Sequence, residues 1–253
     1  MRMMLKGILG VAVLTCVASA WAIASDDADD AAYNSGWALT ANGGFGFAPW
    51  YEISTGGGGR FIAAAPFQVL AGERSWGLFA GSGNYAIGRP LQSPLAGGQF
   101  QFSVLARHNV NNEVGFTGVA VLTYGNVELI RFGLNPSTGN NAVYVQYGAT
   151  TGFINFSGLD LRGKRLEYTL FWDDEDEVFI LEARHLDGSE IGYFFGSWAS
   201  GSIVTGFGFI NNNSGGFQDF IFDQIDVVPE PASLLALGAG LAGLMGLRRR
   251  RTA

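Results

Sequence analysis

Large apolar residues recur at every second position through much of this chain's interior, and that period constrains the fold more than any other feature. Residues 99–106 (QFQFSVLA), 127–134 (VELIRFGL) and 142–147 (AVYVQY) all show it. Successive side chains on a strand point to opposite faces, so each stretch offers one apolar row to a core. Residues 166–172, 178–186, 191–195, 203–210 and 220–227 have the same character, separated by turn-forming segments such as 135–141 (NPSTGNN) and Asp187-Gly188. No interior segment has helical periodicity. Ten or more short strands at this spacing predict an all-β fold, an antiparallel β-sandwich of jelly-roll type made from two packed sheets.

One domain is enough to hold these strands. Glycine is spread along the whole chain, and neither a Pro/Ser-rich linker nor a repeat of twenty to fifty residues divides it. The run Gly56 to Gly59 is read as a loop inside that domain, which is expected to span residues 33–227. Packing must stabilise it without disulfides, because the sole cysteine, Cys16, lies in a leader segment.

That leader has a charged start at Arg2 and Lys6 and an apolar stretch from Gly7 to Ala18, the pattern of a secretory signal peptide. Small-x-small cleavage sites end at Ala20, Ala22 and Ala24, with Ala24 and Ala20 favoured. A leader of residues 1–24 leaves an acidic mature N-terminus over 25–32. At the other end, Pro229-Glu230-Pro231 precedes an apolar run from Ala232 to Leu247 and then Arg248, Arg249, Arg250 and Arg251. Sixteen residues at about 1.5 Å each make roughly 24 Å of helix, and Val227 to Pro231 extends this toward the ~30 Å of a bilayer core. A single transmembrane helix over 232–247 is expected, with the arginines cytoplasmic and the domain outside. Between Lys6 and Arg248 lie all 22 acidic residues and only nine basic ones, a net charge of −13. Such a surface repels phosphates, which argues against nucleic acid as a partner.

The tail, residues 228–253, resembles the PEP-CTERM sorting signal of exported bacterial proteins. The resemblance implies a Gram-negative cell that makes exopolysaccharide, transient anchoring in the inner membrane, and an exosortase that recognises and cuts the tail. Pro229, Glu230 and Pro231 would be its recognition element, with the prolines holding Glu230 extended. The destination implied is the cell surface or extracellular matrix. The interior is similar to exported bacterial proteins with concanavalin-like jelly rolls, through residues 42–50 (NGGFGFAPW), 75–83 (SWGLFAGSG) leading to 86–90 (AIGRP), and 220–227 (FIFDQIDV). What this implies is a lectin-like fold rather than a reaction.

Asp173 to Glu177 is the most conspicuous polar cluster. A retaining glycosidase needs two carboxyls about 5 Å apart in unequal surroundings, whereas five consecutive acids between two strands suit a charged hairpin turn. Calcium, which takes several oxygen ligands, is the one cofactor alternative, with Asp160, Asp219 and Asp223 as further candidates. Gly81 to Ala86 matches a dinucleotide fingerprint in letters but runs into Gly88 and Pro90, which stop the helix that fingerprint requires. His108 and His185 read as loop and strand-end residues, and no nucleophile elbow accompanies them. No catalytic residue or metal ligand is assigned, and a non-enzymatic protein is expected.

Aromatic side chains remain as glycan-binding candidates, because sugar rings stack on their faces while polar groups at the rim fix orientation. Phenylalanine supplies twenty of the thirty-four aromatics, which argues that most are core. The selected positions are Trp50, Tyr51, Tyr144 and Tyr147, together with the loop 211–216 (NNNSGG).

Overall fold

The computed structural model describes residues 22–81, 83–110, 115–198, 201–212 and 219–229. Residues Ala22–Pro229 form one unit. Its strands are β1 (Ala24–Asp26), β2 (Tyr51–Thr55), β3 (Gly58–Ala63), β4 (Ser75–Ala80), β5 (Tyr85–Ala96), β6 (Gln99–Asn109), β7 (Thr117–Leu122) and β8 (Glu128–Leu134). They continue as β9 (Ala142–Tyr147), β10 (Thr150–Asn155), β11 (Arg165–Asp173), β12 (Val178–His185), β13 (Ile191–Ser197), β14 (Ile203–Asn211) and β15 (Asp219–Pro229).

Two antiparallel sheets result. One runs β13-β12-β11-β6-β15-β4-β3, with β1 also paired to β15; the other runs β10-β9-β8-β7-β14-β5-β2. The all-β sandwich expected from the alternation is therefore present. Each strand named in the sequence falls where its period placed it, in most cases because its inward row is large and apolar; edge strand β13 instead turns Gly192, Phe194 and Gly196 inward and leaves Ile191, Tyr193 and Phe195 exposed. Along β11, for example, Leu166, Tyr168, Leu170 and Trp172 are buried, and so are Phe179, Leu181 and Ala183 on β12.

The strands that alternation did not reveal have identifiable reasons. β7 is buried at all six positions, so both of its rows are small or apolar and no period shows. Its Val119 and Val121 join the central core, while Ala120 and Leu122 pack with Ala86, Phe116 and Ile210 in a separate cluster on the outer side of the seven-stranded sheet. β3, β4 and β5 are interrupted by glycine, and β2 has no fully buried row. At Gly88 a Cβ would collide with the Tyr51 ring, so the missing side chain there is what lets Tyr51 lie across the sheet. Gly58 and Gly59 belong to β3, and the passage from β2 to β3 crosses from one sheet to the other.

A knot of aromatic rings fills the centre. Trp50 lies 5.3 Å from Trp76 and 4.9 Å from Trp37, ring centre to ring centre, and Phe209 stacks on Phe222 at 4.1 Å.

The domain also begins earlier than residue 33. Residues 25–32, expected to be an acidic lead-in, and Ala24, expected to end the leader, are built into the sandwich: β1 pairs Ala24, Ser25 and Asp26 with Val227, Asp226 and Ile225. Asp26 is fully buried and ion-paired with Arg89, which is fully buried too. Tyr33 donates its hydroxyl hydrogen to the same carboxylate at 2.7 Å. Arg89 also reaches Asn42 Oδ1 at 2.7 Å and the carbonyl of Gly43 at 2.9 Å, and its guanidinium sits 4.7 Å from the Trp50 ring. A buried charge survives only when paired and hydrogen-bonded, and here one arginine ties Asp26, Asn42, Gly43 and Ala48 to β5.

Candidate functional site

The structure separates the four aromatic candidates. Trp50 is a core residue at 3% exposure; its indole N–H donates to the Tyr33 hydroxyl at 3.0 Å. It therefore leaves the list of binding candidates, because its ring is enclosed between the sheets. Tyr51 is half-buried on β2, donating to Asn126 Oδ1 at 2.5 Å. β2 and β9 stand at opposite ends of the strand order, five steps of about 4.8 Å apart, so Tyr51 does not meet Tyr144 or Tyr147. Those two lie on opposite faces of β9. Tyr144 is outside, beside Phe116 and Phe153 at 6.0 and 5.9 Å, and Tyr147 points in toward Phe179 and Phe194 at 5.2 and 5.9 Å.

Tyr147 nevertheless reaches a concavity. The β9–β10 turn at Gly148-Ala149 faces the end of β13, and between them is a cavity of about 500 Å³ lined by Glu128, Leu129, Tyr147, Thr150, Ser197, Trp198 and Ser202 as well as the turn. A second hollow of about 150 Å³ shares Glu128, Leu129 and Gly148 with it and adds Arg131 and Gln146. Together they carry two aromatic rings, hydroxyls, an amide, a guanidinium and one carboxylate. Arg131 Nε donates to Gln146 Oε1 at 2.8 Å, Tyr144 donates to the same oxygen at 3.0 Å, and Arg131 lies 3.8 Å from Glu128. The polar groups along this rim are thus held in place by one another. Trp198 packs against Trp172, and its indole N–H is buried without an acceptor.

Sequence reasoning had selected Tyr147 and counted Trp198 only among the aromatics at large, and it missed Glu128, Gln146, Thr150 and Ser197. They come from three separate stretches that only the closure of the two sheets brings together. The surplus of polar residues at strand ends was the sole local signal.

The acid cluster is a hairpin turn between β11 and β12. Asp173 Oδ1 accepts the backbone N–H groups of Glu175 and Asp176 at 2.9 and 3.1 Å, while Glu175, Asp176 and Glu177 are exposed. Of the dinucleotide-like run Gly81 to Ala86, Tyr85 and Ala86 open β5, where the fingerprint would need a helix, and Ser82 lies outside the described residues. His108 is not a loop residue; it sits fully buried on β6, between Thr117 Oγ1 at 2.8 Å and the Tyr168 hydroxyl at 2.7 Å, and burial pushes its pKa down to about 3. His185 ends β12 and meets Glu190 at 3.1 Å. Asp160 is engaged by Arg162, and Asp223 is wholly buried under Ala28, Ser75 and Gln224. Among the described residues no group of three or more His, Cys, Asp or Glu is arranged to hold a metal ion. Asn211 is buried and donates to the Leu78 carbonyl at 2.8 Å; residues 213–216 of its loop lie outside the described residues.

The sandwich has the fold of the legume-lectin and concanavalin-like proteins. A sialidase superposes with a TM-score of 0.56 at 13% identity, over 83% of this chain and 19% of that one. Lectin II from Ulex europaeus gives 0.50 at 8% identity, over 81% and 97%. The binding domain of botulinum neurotoxin serotype G gives 0.52 at 10%, over 87% and 51%. This chain thus spans about a fifth of the sialidase and half of the neurotoxin domain. No curated protein matches it by sequence.

Residues 227–251 match the PEP-CTERM protein-sorting motif, which implies export and exosortase processing. Pro229 is the last residue of β15, paired with Phe100. Glu230, Pro231, Arg248 to Arg251, the expected span 232–247 and most of the leader lie outside the described residues. Among the described residues no helix is long and apolar enough to cross a membrane.

Proposed function

We propose that the mature protein is a non-enzymatic, glycan-binding sandwich of a Gram-negative cell surface or extracellular matrix. It is delivered through a transient inner-membrane anchor and cut near Pro229-Glu230-Pro231 by an exosortase. Its ligand is exopolysaccharide, and its site is the double hollow around Glu128, Gln146, Tyr147 and Trp198. The observation that carries this reading is the chemistry of that hollow: aromatic faces beside mutually ordered amide, guanidinium, hydroxyl and carboxylate groups, the combination a neutral or weakly charged sugar requires. The lectin among the structural neighbours supports the same reading. Glu128 is the sole carboxylate among the described residues lining the hollow, which leaves two-carboxylate glycoside hydrolysis without its second group.

Retention of purified residues 21–229 on immobilised extracellular polysaccharides tests the proposal. Glu128→Ala and Gln146→Ala each remove sugar hydrogen bonds of about 1 kcal/mol and are expected to weaken binding roughly five- to tenfold. Glu175→Gln, in the distant hairpin turn, is expected to bind as wild type. Failure of the wild-type domain to bind any polysaccharide, or equal loss in all three variants, would overturn the site.

A further inference from the structure

We infer that the leader is removed between Ala20 and Trp21, so that the mature chain keeps Ile23 and Ala24, and that a cut after Ala24 is incompatible with the folded domain. The inference rests on the export reading and adds the position of the cut. In the reaction, water adds across the Ala20–Trp21 amide, leaving a carboxylate on Ala20 and an ammonium on Trp21.

Residues 23–26 lie inside the fold. The Ile23 N–H donates to the Val227 carbonyl at 2.8 Å, and Ala24, fully buried, pairs with Val227. On the other side of the same segment, Ser25 exchanges both backbone hydrogen bonds with Phe45, at 3.0 and 2.9 Å. β1 is thus enclosed between β15 and the 43–47 segment, and that segment is shaped to receive it. Gly44 and Gly46 adopt φ of +65° and +75°, and a Cβ on either would collide with the Ser25 carbonyl or with the Ile23 carbonyl and Ala24 Cα. Side chains are missing from these two positions because the backbone of residues 23–25 passes there. A chain beginning at Ser25 would leave that channel half empty, take away the partner of Val227 two residues before the sorting motif, and put an ammonium beside buried Asp26.

The choice between Ala20 and Ala22 follows from the same contacts. Cutting after Ala22 would turn the Ile23 N–H, one member of the strand ladder, into an ammonium with two more protons to solvate, and would remove the half-buried Ala22. Cutting after Ala20 leaves the ladder intact and satisfies the small-x-small rule through Ala18 and Ala20.

N-terminal sequencing of the full-length chain after expression in a Gram-negative host settles the point, with Ala22→Gln and Ala20→Gln alongside. Ala22 is a recognition position for cuts after Ala22 or Ala24 but not for one after Ala20. Wild type and Ala22→Gln are expected to begin at Trp21, and Ala20→Gln to accumulate as uncut precursor. A wild-type start at Ile23 or Ser25, or an Ala22→Gln chain that is no longer cut, would overturn the inference while leaving export standing. An uncut, cytoplasmic wild-type chain would overturn both.

Discussion

Asp223 shows how far a single residue can depart from what its neighbours in sequence suggest. It stands in an alternating strand where an outward carboxylate is unremarkable, yet the β15 irregularity between Asp223 and Asp226 turns it beneath the β1 segment. Burial pushes its pKa up to about 7, and the nearby charges of Asp27 and Asp29 act in the same direction. An unfolded aspartate loses its proton near 4, so between about pH 4 and 7 the native state binds more protons and stability falls as pH rises. His108 acts in the opposite sense: it is held neutral down to about 3, so the stability it supports is lost as pH falls below about 6.5. The two slopes overlap, and only a difference separates them. Asp223→Asn keeps an acceptor for the Ala28 and Gln224 N–H groups. It is expected to gain stability over wild type between pH 4.5 and 7.5, by about 3 kcal/mol at roughly 1.4 kcal/mol per unit up to the folded pKa of about 7. Equal denaturation differences at the two pH values would refute the burial argument. None of this was legible in the sequence, where Asp223 was one of three equivalent acids. Trp50 was likewise misjudged, because a tryptophan beside proline and glycine looks the same whether its ring faces a sugar or a core.

At the scale of elements, legibility followed packing. Strands with one buried row, such as β6, β9 and β11, showed their period plainly. β7, buried on both faces, and β3 to β5, where glycines make room for rings or for a passing backbone, did not, and neither did β2, which has no fully buried residue. The acid-rich turn was read from its position between two strong strands, and the backbone explains why it works: Asp173 caps the turn, and Glu177 closes it at φ +57°. A residue with a Cβ is strained there. Glu177→Gly is expected to stabilise the domain by roughly 0.5–1 kcal/mol, measured by thermal or urea denaturation, since relief of strain outweighs the added chain entropy of glycine. Destabilisation would mean that the exposed Glu177 side chain makes a contribution not visible in its contacts.

For the whole molecule, address and architecture are coupled at the two ends. β1 and the last residues of β15 lie side by side, so the start of the folded unit helps to hold the strand that runs into the sorting motif. Pro229 closes that strand, and the motif begins without a linker. Glu230→Ala is therefore expected to block C-terminal processing while leaving the β-sheet circular dichroism of the domain unchanged, because the ladder ends one residue before it. Loss of sheet signal would show that the motif is part of the fold.

The amino-acid order alone determined the class of fold and the C-terminal sorting motif, and its single cysteine leaves no disulfide to form within the chain. Each of these depends on local period, composition or a contiguous motif, which a linear chain carries without reference to anything distant. Only the tertiary structure decided which aromatics are enclosed, that Asp26 and Arg89 form a buried pair, that Tyr147 and Trp198 line one hollow, and that Glu128 joins it to the second one beside Gln146. Those are relations between strands far apart in sequence, set by register and by the closure of one sheet upon the other, and no window along the chain contains both partners.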